Sequence, residues 1–211
     1  MPLKPSQLLE ESCQRRSYRQ FLDEDVDLSI IKDCLLTANT APSGANKQPW
    51  HFVVVKDLKV QTRLRETCEQ IEKEFYEKKI SDTWRKDLEV LAVNYQKPFL
   101  TQAPCLIIIF KQLYTIDESG VQHPTYYPNE CSGIATGLLI NALRNAGYTS
   151  LTYTPAPMLF LREFFNRPQS EMPVMILAVG VADQSYPLPP IKRKSLEEFS
   201  TFIIKEKNID Q

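Results

Sequence analysis

The 211-residue chain is long enough to bury one substantial core without staples, and its 25 Lys and Arg against 26 Asp and Glu leave a formal charge of −1. No overall field draws it to nucleic acid or to an anionic membrane, so any anion site must be local. Five cysteines with no Cys-x-x-Cys pair, and only two histidines, argue against a disulfide framework and a transition-metal site and predict buried thiols in a reducing compartment.

In chain order, a helix is predicted from Ser6, suited to capping it, to Cys13, and a second over Leu28–Ala38 with Leu28, Ile31 and Leu35 on one face. Between them lies RRSYR, Arg15 to Arg19, which packs three guanidiniums and a hydroxyl into five residues. Arginine forks match phosphate oxygens, but a solvated basic turn has the same composition, and both readings stay open. The loop APSGANKQPW follows, fixed by Pro42, Ser43, Gly44 and Pro49, with a glycine that permits close approach of backbone to a ligand. It has neither a Walker nor a dinucleotide glycine pattern.

HFVVV (His51 to Val55) reads as a buried strand, with His51 a structural histidine rather than a catalyst. Charged helices are predicted over Leu58 to Glu77 and over Trp84 to Lys97, the second stopped by Pro98. CLIIIFK from Cys105 is a central strand, and Asn129 is suited to capping a long buried helix that ends at Gly147. Gly133 and Gly137 share one face of that helix and permit close packing, in a dimer interface or in an ordinary core. TSLTYTP and VMILAVG supply two more strands, with a helix bearing Phe160, Phe164 and Phe165 between them, and KRK at Lys192 to Lys194 is a short late basic cluster.

Interleaved helices and apolar strands imply an α/β or α+β architecture, one domain over 1–211, with helices on both faces of a sheet. The longest apolar runs are far too short to span a bilayer and the N-terminal stretch has no apolar signal core, so a cytoplasmic protein is expected. There is no G-x-S-x-G elbow, and neither Ser43 nor any cysteine has a base partner evident in sequence, which disfavours a hydrolase.

RRSYRQF, APSGANKQPWHFVVV, NALRNAGYTSLTYTP and the late KRK together resemble the nitroreductase superfamily of FMN enzymes, most closely its iodotyrosine deiodinase branch. The resemblance spans nearly the whole chain. It implies an α+β fold with a central mixed sheet flanked by helices, and an intertwined homodimer with FMN at the subunit interface. Carried onto matching positions, it implies that Arg15, Arg16, Ser17, Arg19 and Arg193 hold the FMN phosphate and ribityl chain. Pro42, Ser43 and Gly44 would lie against the flavin, with Thr152, Tyr153 and Thr154 at its ring edge. Thr154 is the residue implied to hydrogen-bond flavin N5, the nearest approach to a catalytic side chain.

The charged stretch from Ile71 to Leu88 gains a meaning by the same resemblance. Glu72, Tyr76 and Lys97, with Trp84 between, match a substrate lid over 71–97 that holds the zwitterion of an amino acid. Glu72 and Tyr76 stand four apart and share a helix face; a carboxylate accepts from an ammonium, while a phenol and a lysine donate to a carboxylate. So polar a stretch is expected to order only around its ligand. The implied reaction is reductive removal of halide from a 3-halotyrosine bound as phenolate, its oxygen near the Ala45 N–H. The electrons would come from NAD(P)H directly, or through a flavin or ferredoxin-type reductase. Asn46 departs from the branch pattern, which has histidine there. A general NAD(P)H-dependent nitroreductase or quinone reductase would share the FMN residues without needing Glu72, Tyr76 and Lys97 to act together. A flavin-binding sensor without turnover is a third class, and nucleic-acid binding is the weakest, since acids balance the bases and no aromatic platform is interleaved with them.

Overall fold

The computed structural model describes residues 5–78, 80, 81, 86, 88 and 93–204. Its helices and strands are α1 (Pro5–Cys13), α2 (Leu28–Ala38), β1 (Trp50–Val55), α3 (Leu58–Lys78), α4 (Phe99–Gln102), β2 (Cys105–Gln112), β3 (Tyr114–Ile116) and β4 (Gln122–Pro124). They continue with α5 (Pro128–Asn145), β5 (Thr149–Tyr153), α6 (Phe160–Phe164), β6 (Glu171–Gly180) and α7 (Leu196–Phe199). Strands lie in the order β1-β2-β6-β5, with β3 and β4 in a separate hairpin. Every pairing is antiparallel, so among the described residues the sheet is not the mixed one that the resemblance implies.

Period-two alternation splits the apolar runs between two cores. On one face Leu106, Ile108 and Phe110 of β2 and Ile176 and Ala178 of β6 pack with Leu64 and Cys68 of α3 and with Phe99, Leu100 and Leu161. On the other, Cys105, Ile107, Ile109, Leu177 and Val179 meet Ile31, Cys34 and Ala38 of α2 and Leu139 and Leu143 of α5. The two central strands are therefore apolar at nearly every position, as strands covered on both faces must be. Pro173, which cannot donate to the ladder, opposes Phe110 beside a register shift, where a missing N–H costs least.

Four expectations from sequence need correcting. Asn129 does not cap α5: the helix starts with Tyr127 at the N-cap and Pro128 in its first turn, and the Asn129 carbonyl oxygen instead accepts from Lys111 Nζ at 2.6 Å. Nor is α5 buried all round; Ile134 is 46% exposed and a Cβ on Gly133 or Gly137 would meet nothing within 4 Å. Nor does Ser6 cap α1, since the helix already includes Pro5. Residues 93–97 are not helical, and Pro98 is the N-cap of α4 rather than a helix stop, a position where its missing N–H is harmless. Trp84 lies outside the described residues. No helix among the described residues is long and apolar enough to cross a membrane.

Candidate functional site

A cavity of about 480 Å³ opens between the end of α3, the segment leading into α4, and the end of β5. Glu72, Tyr76, Lys97, Thr152, Thr154 and Arg19 all line it, so residues up to 135 positions apart in sequence, from 19 to 154, converge there.

Part of the cavity wall is a buried ion pair. Lys97 Nζ stands 2.5 Å from Glu72 Oε2, and the two side chains are 7% and 9% exposed. Tyr153 donates its hydroxyl to the other oxygen, Glu72 Oε1, at 2.5 Å. The Lys97 ammonium also donates to the Asn94 carbonyl and lies 5.4 and 5.7 Å from the ring centroids of Tyr76 and Tyr153, whose faces favour a cation. One turn earlier, Glu69 Oε1 accepts from both Arg65 Nε and the Lys97 backbone N–H at 2.7 Å, which fastens the Lys97 segment to α3. Burial, and then Glu72, push the Tyr76 phenol above its ordinary pKa, so it remains a donor. Within this polar stretch Glu72 is buried, because Lys97 and Tyr153 neutralise and satisfy its carboxylate.

Thr152, Tyr153 and Thr154 do not present their side chains alike. On a strand successive side chains alternate, and here Thr152 and Thr154 are exposed while Tyr153 is buried in the α3-side core with its hydroxyl on Glu72. All three residues nonetheless border the cavity.

The two basic segments meet. Arg193 Nη1 and Nη2 donate to the carbonyls of Cys13 and Arg15, each at 3.2 Å, and Arg16 Nη2 donates to Pro189 O at 2.5 Å. Arg19, half-buried with its pKa lowered by desolvation, donates to Ser17 O at 3.4 Å. Among the described residues no carboxylate pairs with Arg15, Arg16, Arg19 or Arg193. Three of these guanidiniums, those of Arg16, Arg19 and Arg193, are thus held by carbonyls without being neutralised, and such donors can meet an anion.

The loop at Pro42, Ser43, Gly44 and Ala45 is elsewhere; none of the four lines the cavity. It precedes β1, while Thr152–Thr154 end β5, and these strands are opposite edges of the sheet, roughly 14 Å apart at the usual strand spacing. Ser43 Oγ accepts from Gln48 N–H at 2.9 Å and steadies the loop. Ala45 adopts a left-handed φ of 49°, and no acceptor for its N–H is found among the described residues. A backbone donor held free in a strained, exposed loop suits an anionic oxygen. Gly44 makes a close approach to the chain itself, since a Cβ there would sit 2.7 Å from Tyr126 Cβ.

Sequence reasoning missed Tyr186, Asn94 and Glu69. Tyr186 enters the cavity beside Arg19 from a distant loop, and Asn94 and Glu69 act through a carbonyl and a second layer, which no motif spacing announces.

The nitroreductase family model matches residues 13–181, a span that includes every strand, Arg15 to Arg19 and every cavity residue named above except Tyr186. The chain belongs to the nitroreductase family. An iodotyrosine deiodinase of Haliscomenobacter hydrossis is 38% identical over 198 residues, covering 90% of this chain and 89% of that protein. One from Nematostella vectensis is 36% identical over 201 residues, covering 94% and 75%. A crystal structure of oxidized iodotyrosine deiodinase bound to FMN and 3-iodo-L-tyrosine superposes with a TM-score of 0.77 at 32% identity, over 92% of this chain and 100% of that one. This nitroreductase-family chain is thus similar over nearly its whole length to halotyrosine-binding flavoproteins.

Proposed function

We propose that this protein is an FMN-dependent oxidoreductase that removes halide reductively from 3-iodo-, 3-bromo- or 3-chlorotyrosine. The observation that carries the reading is the cavity in which Glu72, Lys97 and Tyr76 converge, a combination a general nitroreductase has no need of. Glu72 accepts from a substrate ammonium, while Lys97 and the Tyr76 hydroxyl donate to its carboxylate, so a free amino acid is read at both charges.

The residues present fit FMN. Arg15, Arg16, Arg19 and Arg193 supply unneutralised donors for a phosphate, Ser17 a hydroxyl beside them, and Thr152 and Thr154 exposed hydroxyls for a ring edge. When bound and reduced, FMN supplies the two electrons that, with a proton, replace the carbon–halogen bond by carbon–hydrogen and release halide. Thr154 orients the cofactor by hydrogen bonding. The Ala45 N–H stabilises the phenolate oxygen in a water-poor site. Since the 42–45 loop and the cavity occupy opposite sheet edges, we assign one complete site to two copies of the chain, with Pro42, Ser43, Gly44 and Ala45 given by one and Glu72 and Lys97 by the other. Phe202, Ile203 and Ile204 are 67%, 98% and 79% exposed, an apolar tail that association would cover.

The test is titration of the flavin-bound protein with 3-iodotyrosine, followed by flavin fluorescence, then turnover after dithionite reduction, which frees the assay from any particular electron donor. Glu72→Ala and Lys97→Ala should each weaken 3-iodotyrosine binding about 100-fold, roughly 3 kcal/mol, with FMN retained. Thr154→Ala should lower dehalogenation more than nitroarene reduction. Equal ligand affinity in wild type and both lid variants would remove the halotyrosine reading and leave a general nitroreductase.

A further inference from the structure

Tyr153 ends β5 with a buried phenol that borders the cavity. Its neighbours Thr152 and Thr154 face outward, yet its own ring packs edge-on against Phe99, with centroids 5.3 Å apart and planes at 80°, and is 8% exposed. The ring thus has one orientation, and that orientation delivers the hydroxyl to Glu72 Oε1 at 2.5 Å, across 81 positions of sequence. Lys97 Nζ meets the opposite oxygen, Oε2, at 2.5 Å.

We propose that Tyr153 is a positioning residue of the amino-acid subsite: its hydroxyl fixes the Glu72 carboxylate so that a substrate ammonium, and not Lys97 alone, can engage it. The proposal rests on the halotyrosine reading above and assigns the subsite a fourth side chain. A carboxylate has about four lone-pair positions. Freed of Tyr153, the Glu72 carboxylate would turn to offer both oxygens to Lys97, and the pair would close on itself. An incoming zwitterion must then separate two desolvated charges before it binds. Held by Tyr153, one oxygen is committed to a neutral donor, Lys97 meets a single Glu72 oxygen beside the Asn94 carbonyl, and its third N–H is left for a substrate carboxylate.

Two further observations fit. Burial is the main cause that pushes the Tyr153 phenol far above its ordinary pKa, with Cys68 and Glu72 adding to it, so the hydroxyl remains a donor at every working pH. The Cys68 thiol that borders it is also kept neutral, pushed up to about 12 by desolvation, so no second anion competes for the hydroxyl. The bond also links β5 to α3, the helix that carries Glu72 and Tyr76, and so ties the proposed cofactor edge to the substrate end.

Tyr153→Phe tests this in the flavin-bound protein, because it removes one oxygen and keeps the ring on Phe99. Two probes are titrated: 3-iodotyrosine, which carries the zwitterion, and 2-iodophenol, which lacks it. Expected is a loss of about tenfold or more in 3-iodotyrosine affinity with 2-iodophenol affinity unchanged. In a Glu72→Gln background the same change should cost much less, since the positioned charge is already gone. Unchanged 3-iodotyrosine affinity, or an equal loss for both probes, overturns the positioning role while leaving the halotyrosine reading in place. If wild type binds 2-iodophenol but not 3-iodotyrosine, the reading and the inference fail together. Denaturant midpoints of wild type and Tyr153→Phe separate a local effect from a fold defect.

Discussion

Gly44 shows how one missing carbon positions a loop. Its ideal Cβ would lie 2.7 Å from Tyr126 Cβ and 3.4 Å from Tyr127 Cδ2, so the glycine exists to let the 42–46 turn settle against the start of α5. The neighbour in the way is a Cβ, which cannot rotate aside, and relief must come from the backbone. Gly44→Ala should therefore cost about 1–3 kcal/mol, read as a lower denaturant midpoint at unchanged m-value. Since Ala45 follows directly, the same shift would move its free N–H, and halotyrosine affinity should fall with stability. A Gly44→Ala protein as stable as wild type would show that the turn has slack. The sequence marks this glycine as permissive but cannot say to what: a tight approach to a ligand and a tight approach to a tyrosine 82 positions away, from 44 to 126, leave the same letter.

At the scale of elements, the bounds of α2 and the central strand β2 were legible because local signals and tertiary demands agree there. Asp27 caps α2 through Ser29 N–H, and six successive buried residues of β2 need no partner but the two cores. Where a residue serves two masters the reading failed: Asn129 is drawn from capping to Lys111, and Pro98 begins one helix where it was expected to stop another. The Glu72, Tyr76 and Lys97 set was readable only through family pattern, and its tie to Tyr153 not at all, since strand alternation had to be known first. Strand β1 carries a pH-sensitive position of its own. His51 is held below its ordinary pKa of 6.5 mainly by burial; Glu171 opposes that shift and Arg167 adds to it. A depressed pKa means that the unfolded chain binds the proton more readily, so His51 adds stability above about pH 6.5 that is lost as pH falls toward its folded-state value. Thermal melts between pH 8 and pH 5 should decline through that window, and His51→Gln should flatten the decline. An identical slope in the variant would move the effect to other groups.

For the whole molecule, the proposed site draws on two separate edges of the sheet. The loop that offers the free Ala45 N–H and the cavity that holds Glu72 and Lys97 terminate opposite edges of a four-stranded sheet. On the proposed two-copy reading, a second copy brings its loop to the first copy's cavity, and the closed symmetry of a dimer then makes two such sites. That arrangement predicts complementation. Ala45→Asp places a carboxylate against the phenolate and suits the left-handed φ of 49°, which Asp tolerates. Lys97→Ala removes the partner of the substrate carboxylate. Each variant alone should be nearly inactive. Co-expressed in equal amounts, half of the dimers are mixed, and each mixed dimer has one site that draws its loop from the Lys97→Ala copy and its cavity from the Ala45→Asp copy, both unaltered there. About a quarter of wild-type turnover should return, alongside a second site carrying both lesions. If loop and cavity instead served the site within one copy, every site would keep one lesion whatever the mixture, and turnover would stay at the level of the parents. Activity regained on mixing therefore separates a shared site from a private one, independently of which halogen is removed.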